Sequence, residues 1–167
     1  WPSTRSVRVG LSPFAKRSRM TAPDLHNGPP PRWSDAVEEV VWLPRLAAKV
    51  RAHDAGTLGT YLLGQSPVDD EFLRAAHLRY RDFIALVRAA GGDAEVLAAI
   101  DAAAPGARER LRLWSLEMPV RLRTLMRLLD FDDGYDRPAW LSIPHAAASL
   151  LVPPLIALAR RLRPLGA

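Results

Sequence analysis

The chain has no cysteine and only two lysines, Lys16 and Lys49. Without cysteine there is no disulfide framework, no thiolate zinc site, no cysteine nucleophile and no redox chemistry carried by the protein's own thiols, and the composition fits a reducing cytoplasm. The shortage of lysine beside 21 arginines, with abundant alanine, leucine and proline, is a bias expected of GC-rich coding rather than of chemistry. Catalytic motifs are missing too. There is no P-loop, no dinucleotide-binding glycine pattern and no serine elbow, and the spacing Gly56-x-x-Gly59 is too common to count as one. His26, His53, His77 and His145 fall on separate segments, none three or four residues from another, so no helical metal site is indicated. Neither a metal nor a cofactor is expected. Asp69, Asp70 and Glu71 stand where the start of a helix attracts acids in any case.

What is present points to one globular domain. The 167 residues are 49% apolar and 25% charged, enough to build a core. The net charge of +5 lies at one end: Arg5, Arg8, Lys16, Arg17 and Arg19 face no acid among the first nineteen residues, and the remainder carries 18 basic and 18 acidic side chains. Residues 1–19 lack a sustained hydrophobic period, and Val7 to Phe14 is too interrupted for the apolar part of a secretory signal. Met20-Thr21-Ala22-Pro23 reads like a bacterial start, so residues 1–19 are expected to be an upstream misassignment of translation or an expression remnant. Residues 1–33 are expected to be disordered or extended, with Pro29-Pro30-Pro31 favouring a solvated backbone. Residues 34–134 are the core domain and 135–167 an apolar extension.

The fold class expected is all-α, a compact bundle of about four to six helices. A first helix is expected from Ser34 or Asp35, with Asp35 and Glu38 as a capping pair and Val37, Val40, Val41, Ala47, Ala48 and Val50 inward. Pro44 should kink or break it near Leu43. Gly56 to Gly64 reads as an ordered glycine-rich loop. Ser66 as cap and Pro67 in the first turn open a helix whose Val68, Phe72, Ala76, Tyr80, Phe83, Ile84 and Val87 recur at steps of three and four, up to Gly91-Gly92. A shorter helix capped by Asp93 carries Val96, Leu97 and Ile100 and closes at Pro105-Gly106. A long one runs from Ala107 to about Leu129, with Leu111, Trp114, Met118, Leu122, Leu125 and Leu129 on its core face.

Two surface features stand out. Arg108, Arg112, Arg123 and Arg127 form a basic stripe beside Leu116 and Val120, readable as a phosphate-contacting surface or as a solvated face partnered by Glu109, Glu117 and the acidic turn Asp130 to Asp133. The second reading is preferred, because no aromatic alternates with the arginines to stack bases. Residues 139–159 carry no charged side chain apart from His145, and Arg160, Arg161 and Arg163 follow. The run is long enough to cross a bilayer, but Pro144, Pro153 and Pro154 would leave carbonyls unpaired in lipid. Packing as one or two helices on the domain or on a second copy is preferred over membrane association.

Arg45 and Lys49 lie four apart on one helical face, ahead of His53 and the glycine loop with Tyr61. Two cations at that spacing repel mildly and suit an anion, either an internal carboxylate such as Asp69 or a bound phosphate or carboxylate ligand. The internal pair is the preferred alternative. The ordered series Leu43-Pro44-Arg45, Lys49, Arg51-Ala52-His53, Ala55-Gly56-Thr57-Leu58, Tyr61, Val68-Asp69, Phe72-Leu73, Asp93 and Glu95-Val96-Leu97 resembles a bacterial family of small helical proteins known as a domain of unknown function. The resemblance runs from about Asp24 to Ala104. It departs near Ala99, where many relatives carry tryptophan, and in the apolar tail after Pro138. It implies a compact helical fold in a bacterial cytoplasm, with Arg45, Lys49, His53, Tyr61 and Asp69 as the residues to test, and it implies no activity.

Three functions are therefore weighed. The first is a module acting through a protein partner or a homo-oligomer. The second is a binding or catalytic site for a small anionic ligand at Arg45, Lys49, His53, Tyr61 and Asp69. The third is weak nucleic-acid binding by Arg108, Arg112, Arg123 and Arg127, ranked last because the body is neutral. An enzyme is not favoured.

Overall fold

The computed structural model describes residues 21–64 and 66–135. The basic segment 1–19 and the apolar run 139–159 lie outside the described residues. Among the described residues the fold is mostly helical, six helices joined to one very small antiparallel ladder: β1 (Ala36–Val37), β2 (Val40–Val41), α1 (Leu43–Ala55), α2 (Pro67–Ala76), α3 (Tyr80–Ala89), α4 (Asp93–Ala103), α5 (Ala107–Arg121) and α6 (Arg123–Asp132).

The first departure from expectation is at the start. Residues 36–41 form a hairpin rather than helix, with Val37 opposite Val40 and Ala36 opposite Val41. The turn between the strands is Glu38-Glu39, with φ of 47° and 70°. Positive φ at both central residues is what a two-residue hairpin turn of the right twist demands, normally from Asn-Gly. Asp35 is no helix cap; its carboxylate accepts the Arg32 N–H at 2.9 Å. The helix begins at Leu43, so Pro44 falls in its first turn, where a missing N–H costs nothing, and does not kink an interior. Gly56, at φ 72°, ends α1 as expected.

α1 is the axis of the domain. Every residue from Leu43 to Val50 is buried, including Arg45 and Lys49. Around it the core gathers Trp42, Leu46, Phe72, Phe83, Leu97, Ile100, Leu111 and Met118. Phe72 meets Phe83 and Trp114 edge-on at centroid distances of 6.1 and 5.6 Å, the arrangement that ring quadrupoles favour.

The helix expected from Ser66 to Gly91 is two helices. His77 turns into the left-handed region (φ 57°) and the Leu78 N–H bonds the Leu73 carbonyl at 2.9 Å, closing α2. Arg110 of α5 donates to the freed Ala75 carbonyl at 3.1 Å. Ser66 does stand at the N-cap of α2, but its side chain makes no capping bond, and Gly92 rather than Asp93 is the cap of α4. The helix expected from Ala107 to Leu129 also breaks, at Leu122, three residues after Pro119, which cannot donate in the last turn of α5. Of the core face expected there, Leu111, Trp114 and Met118 are buried, while Leu122, Leu125 and Leu129 pack partly buried against the core and Met126 takes the fully buried place on α6. The lead-in before Ser34 joins the packed unit: Leu25 is buried, and its N–H bonds the Thr57 carbonyl at 2.8 Å.

Candidate functional site

Because α1 is enclosed from Leu43 to Val50, the two cations of that stretch, Arg45 and Lys49, have no water to face and must be met from within. Lys49 Nζ donates to both carboxylate oxygens of Asp69, at 3.0 and 2.8 Å, and to the Leu62 carbonyl at 3.1 Å. Its three protons are thereby used. Asp69 is fully buried in the first turn of α2 and also accepts from Trp42 Nε1 at 2.9 Å. Burial lowers the Lys49 pKa below the ordinary lysine value, and the Asp69 carboxylate opposes that shift.

Arg45 turns to the other end. It donates to Asp133 through Nη1 at 2.7 Å and Nη2 at 3.3 Å, and Nη1 also reaches the Pro31 carbonyl at 3.2 Å. Both side chains are nearly inaccessible, at 4% and 2%. The Tyr61 hydroxyl donates to the same carboxylate at 3.1 Å, and burial together with Asp133 raises the Tyr61 pKa. The Arg45 guanidinium lies 5.5 Å from the Trp42 ring centroid and 5.8 Å from that of Tyr61, and Lys49 Nζ lies 5.8 Å from Trp42. Trp42, at φ 69°, takes a strained conformation to reach this place between the two cations.

The glycine-rich segment folds over this network. Gly59 lies against the Leu25 carbonyl and Gly64 under the Tyr80 ring, so close that an added Cβ would stand 2.7 and 2.6 Å from their atoms. The Tyr80 hydroxyl is buried with no hydrogen-bond partner among the described residues. Burial and the nearby Asp69 raise its pKa.

Of the five candidates named from sequence, Arg45, Lys49, Tyr61 and Asp69 belong to this network. His53 does not. It sits in the last turn of α1 with its side chain 57% exposed, 3.5 Å from Asp54. Trp42 and Asp133 were missed, because Trp42 carries no charge and Asp133 is distant in the chain. Asp130 and Asp133 of the acidic turn meet arginines other than those of the stripe: Asp133 is held by Arg45, and Asp130 receives Arg32 at 3.0 and 2.7 Å and Trp33 Nε1 at 2.9 Å. Burial would raise the Asp130 pKa, but those donors outweigh it and hold it below the usual carboxylate value.

The arginine stripe is divided by the break at Leu122. Arg108 pairs with Glu38 and Arg112 with Glu39, the two turn residues of the hairpin. Arg123 and Arg127 are exposed on α6. Among the described residues, no group of three or more His, Cys, Asp or Glu side chains could hold a metal ion, and no helix is long and apolar enough to cross a membrane.

These features define a small, mostly helical domain whose central helix carries an internally neutralised pair of cations. The chain belongs to the family described as a domain of unknown function (DUF5069), whose family model matches residues 30–124. That span holds Arg45, Lys49, Tyr61 and Asp69 but ends before Asp130 and Asp133. No curated protein matches the chain.

Proposed function

We propose that this protein is a small cytoplasmic helical module that acts by self-association through the outward face of α5. The observation that carries the reading is an apolar stripe on that face: Leu113, Leu116 and Val120, 54%, 75% and 80% exposed. Steps of three and four residues line them up on one side, opposite the core residues Leu111, Trp114 and Met118. The three expose about 400 Å², the size of the largest apolar patch on a typical monomer, which is often functional. Glu109, Glu117, Arg112 and Arg121 lie on the same helix, and charges of both signs suit a self-complementary contact between two copies related by a two-fold axis. A cytoplasmic location is supported by the absence of cysteine.

Small anionic ligands are the less favoured reading, since a ligand at Arg45 or Lys49 would have to displace Asp133 or Asp69 from a buried contact. Nucleic acid is less favoured again, because Arg108 and Arg112 are paired with Glu38 and Glu39.

Sedimentation velocity of the full chain over a range of concentrations tests the self-association reading. A mass rising towards the dimer in the parent and staying monomeric in Leu116→Glu is the expected result; a parent that is monomeric throughout would overturn it. A thermal-shift screen with anionic metabolites and nucleotides tests the alternative. A ligand at about one hundred times its dissociation constant would stabilise a bound protein by about 2.7 kcal/mol. No such shift is expected.

A further inference from the structure

We infer that two copies pair with their α5 helices antiparallel, about a two-fold axis beside Leu116, and that Glu109 of each copy meets Arg123 of the other. The inference rests on the self-association reading above and adds the orientation of the contact and the charges that set it.

The exposed positions of α5 are Glu109, Leu113, Leu116, Glu117, Val120 and Arg121, one face at steps of three and four. Charge is divided along this face. At its N-terminal end Glu109 has only a 3.8 Å contact with Arg112. Just past its C-terminal end Arg123 and Arg127 are exposed and make no ion pair among the described residues, whereas Arg121 is held by Glu71.

A face that is acidic at one end, apolar in the middle and basic at the other complements itself when turned end for end. With Leu116 at the axis, Leu113 falls opposite Val120 of the other copy and Glu109 opposite Arg123. Antiparallel helices also set opposite dipole ends side by side. A parallel pair would set Glu109 against Glu109 and Arg123 against Arg123. Its one attraction, Arg112 with Glu117, would take Arg112 from Glu39 of its own copy. The antiparallel pair brings the two Glu117 side chains together near the axis, a single repulsion against two attractions. An apolar contact of about 400 Å² per copy falls below the roughly 800 Å² per partner of a standard interface, so the dimer belongs with weak contacts, its dissociation constant on the order of micromolar.

The test uses the full chain, whose lack of cysteine gives a background free of thiols. Leu113→Cys and Val120→Cys chains are mildly oxidised, alone and mixed. About the proposed axis the two 113 positions lie about 9 Å apart along the helices and the two 120 positions about 12 Å, beyond the roughly 7 Å that a disulfide spans. The mixed 113–120 disulfide is therefore expected to form roughly tenfold faster than either same-site dimer. Arg123→Glu should raise the dimer dissociation constant roughly tenfold at low salt, and Glu109→Arg in the same chain should restore it. Same-site dimers that form as fast as the mixed one, or an Arg123→Glu chain that associates like the parent, would overturn the orientation while leaving self-association standing. A parent that sediments as a monomer at every concentration would overturn the self-association reading and the inference with it.

Discussion

Of the cation pairs that stand four residues apart on helices of this domain, Arg45 with Lys49 on α1 and Arg108 with Arg112 on α5 have surroundings that give them opposite weights. Both find carboxylates from distant parts of the chain. The α1 pair is enclosed: its side chains and those of Asp133 and Asp69 are at most 4% exposed. The α5 pair and its partners Glu38 and Glu39 are 36% to 69% exposed. Removing one partner from the enclosed pair leaves a charge with nowhere to go, whereas removing one from the open pair leaves a charge in water. The same spacing thus encodes a structural commitment in one place and a mild preference in the other, and only the position of the helix in the fold separates them.

The largest expected effect is on the enclosed pair. Lys49→Met keeps much of the volume but strands the Asp69 carboxylate, and should cost about 3–5 kcal/mol in urea unfolding. A loss below about 1 kcal/mol would place this pair with the surface ones and break the contrast. Next comes Asp130, whose lowered pKa gives a signed pH dependence. Its contribution is complete above the unfolded carboxylate value of about 3.9 and is lost as pH falls through the lower folded value. Unfolding followed from pH 6 downward should show stability falling in that window, less steeply in Asp130→Asn.

On the open side the sign reverses. Replacing Glu38-Glu39 by Asn-Gly supplies the residues that the turn geometry favours and sacrifices only exposed ion pairs, so it should stabilise the protein by about 1 kcal/mol. The smallest effect belongs to Arg108→Ala and Arg112→Ala, each expected to cost under about 1 kcal/mol at low salt and to approach the parent near 1 M salt. A salt-independent loss would show that the hairpin depends on these contacts for more than charge.

Much of this was legible in the sequence, and the rest was hidden for definite reasons. Periodicity and glycine punctuation located the helical segments and the loop over the network. Arg45 and Lys49 announced an anion by their spacing, and Asp69 was named as a partner for them. The hairpin was concealed because Glu-Glu is poor turn chemistry and Asp35 with Glu38 imitates a capping box, although Val37, Val40 and Val41 are β-branched residues suited to strands. His77 hid the end of α2, since a histidine taking the left-handed conformation interrupts no apolar period. Pro119 was the visible sign that the last long helix would not continue unbroken. Asp133 lies 88 residues from Arg45, and no local pattern connects them.

The central claim, that the cations of α1 hold the fold together from inside, is tested most directly by a double-mutant cycle on Lys49→Met and Asp69→Asn followed by urea unfolding. Each single change is expected to be costly and the double variant to recover much of the loss, with a coupling of about 2 kcal/mol or more. Additive losses within about 0.5 kcal/mol would contradict the claim, showing that Lys49 and Asp69 do not depend on each other and that Lys49 is retained for something other than the fold.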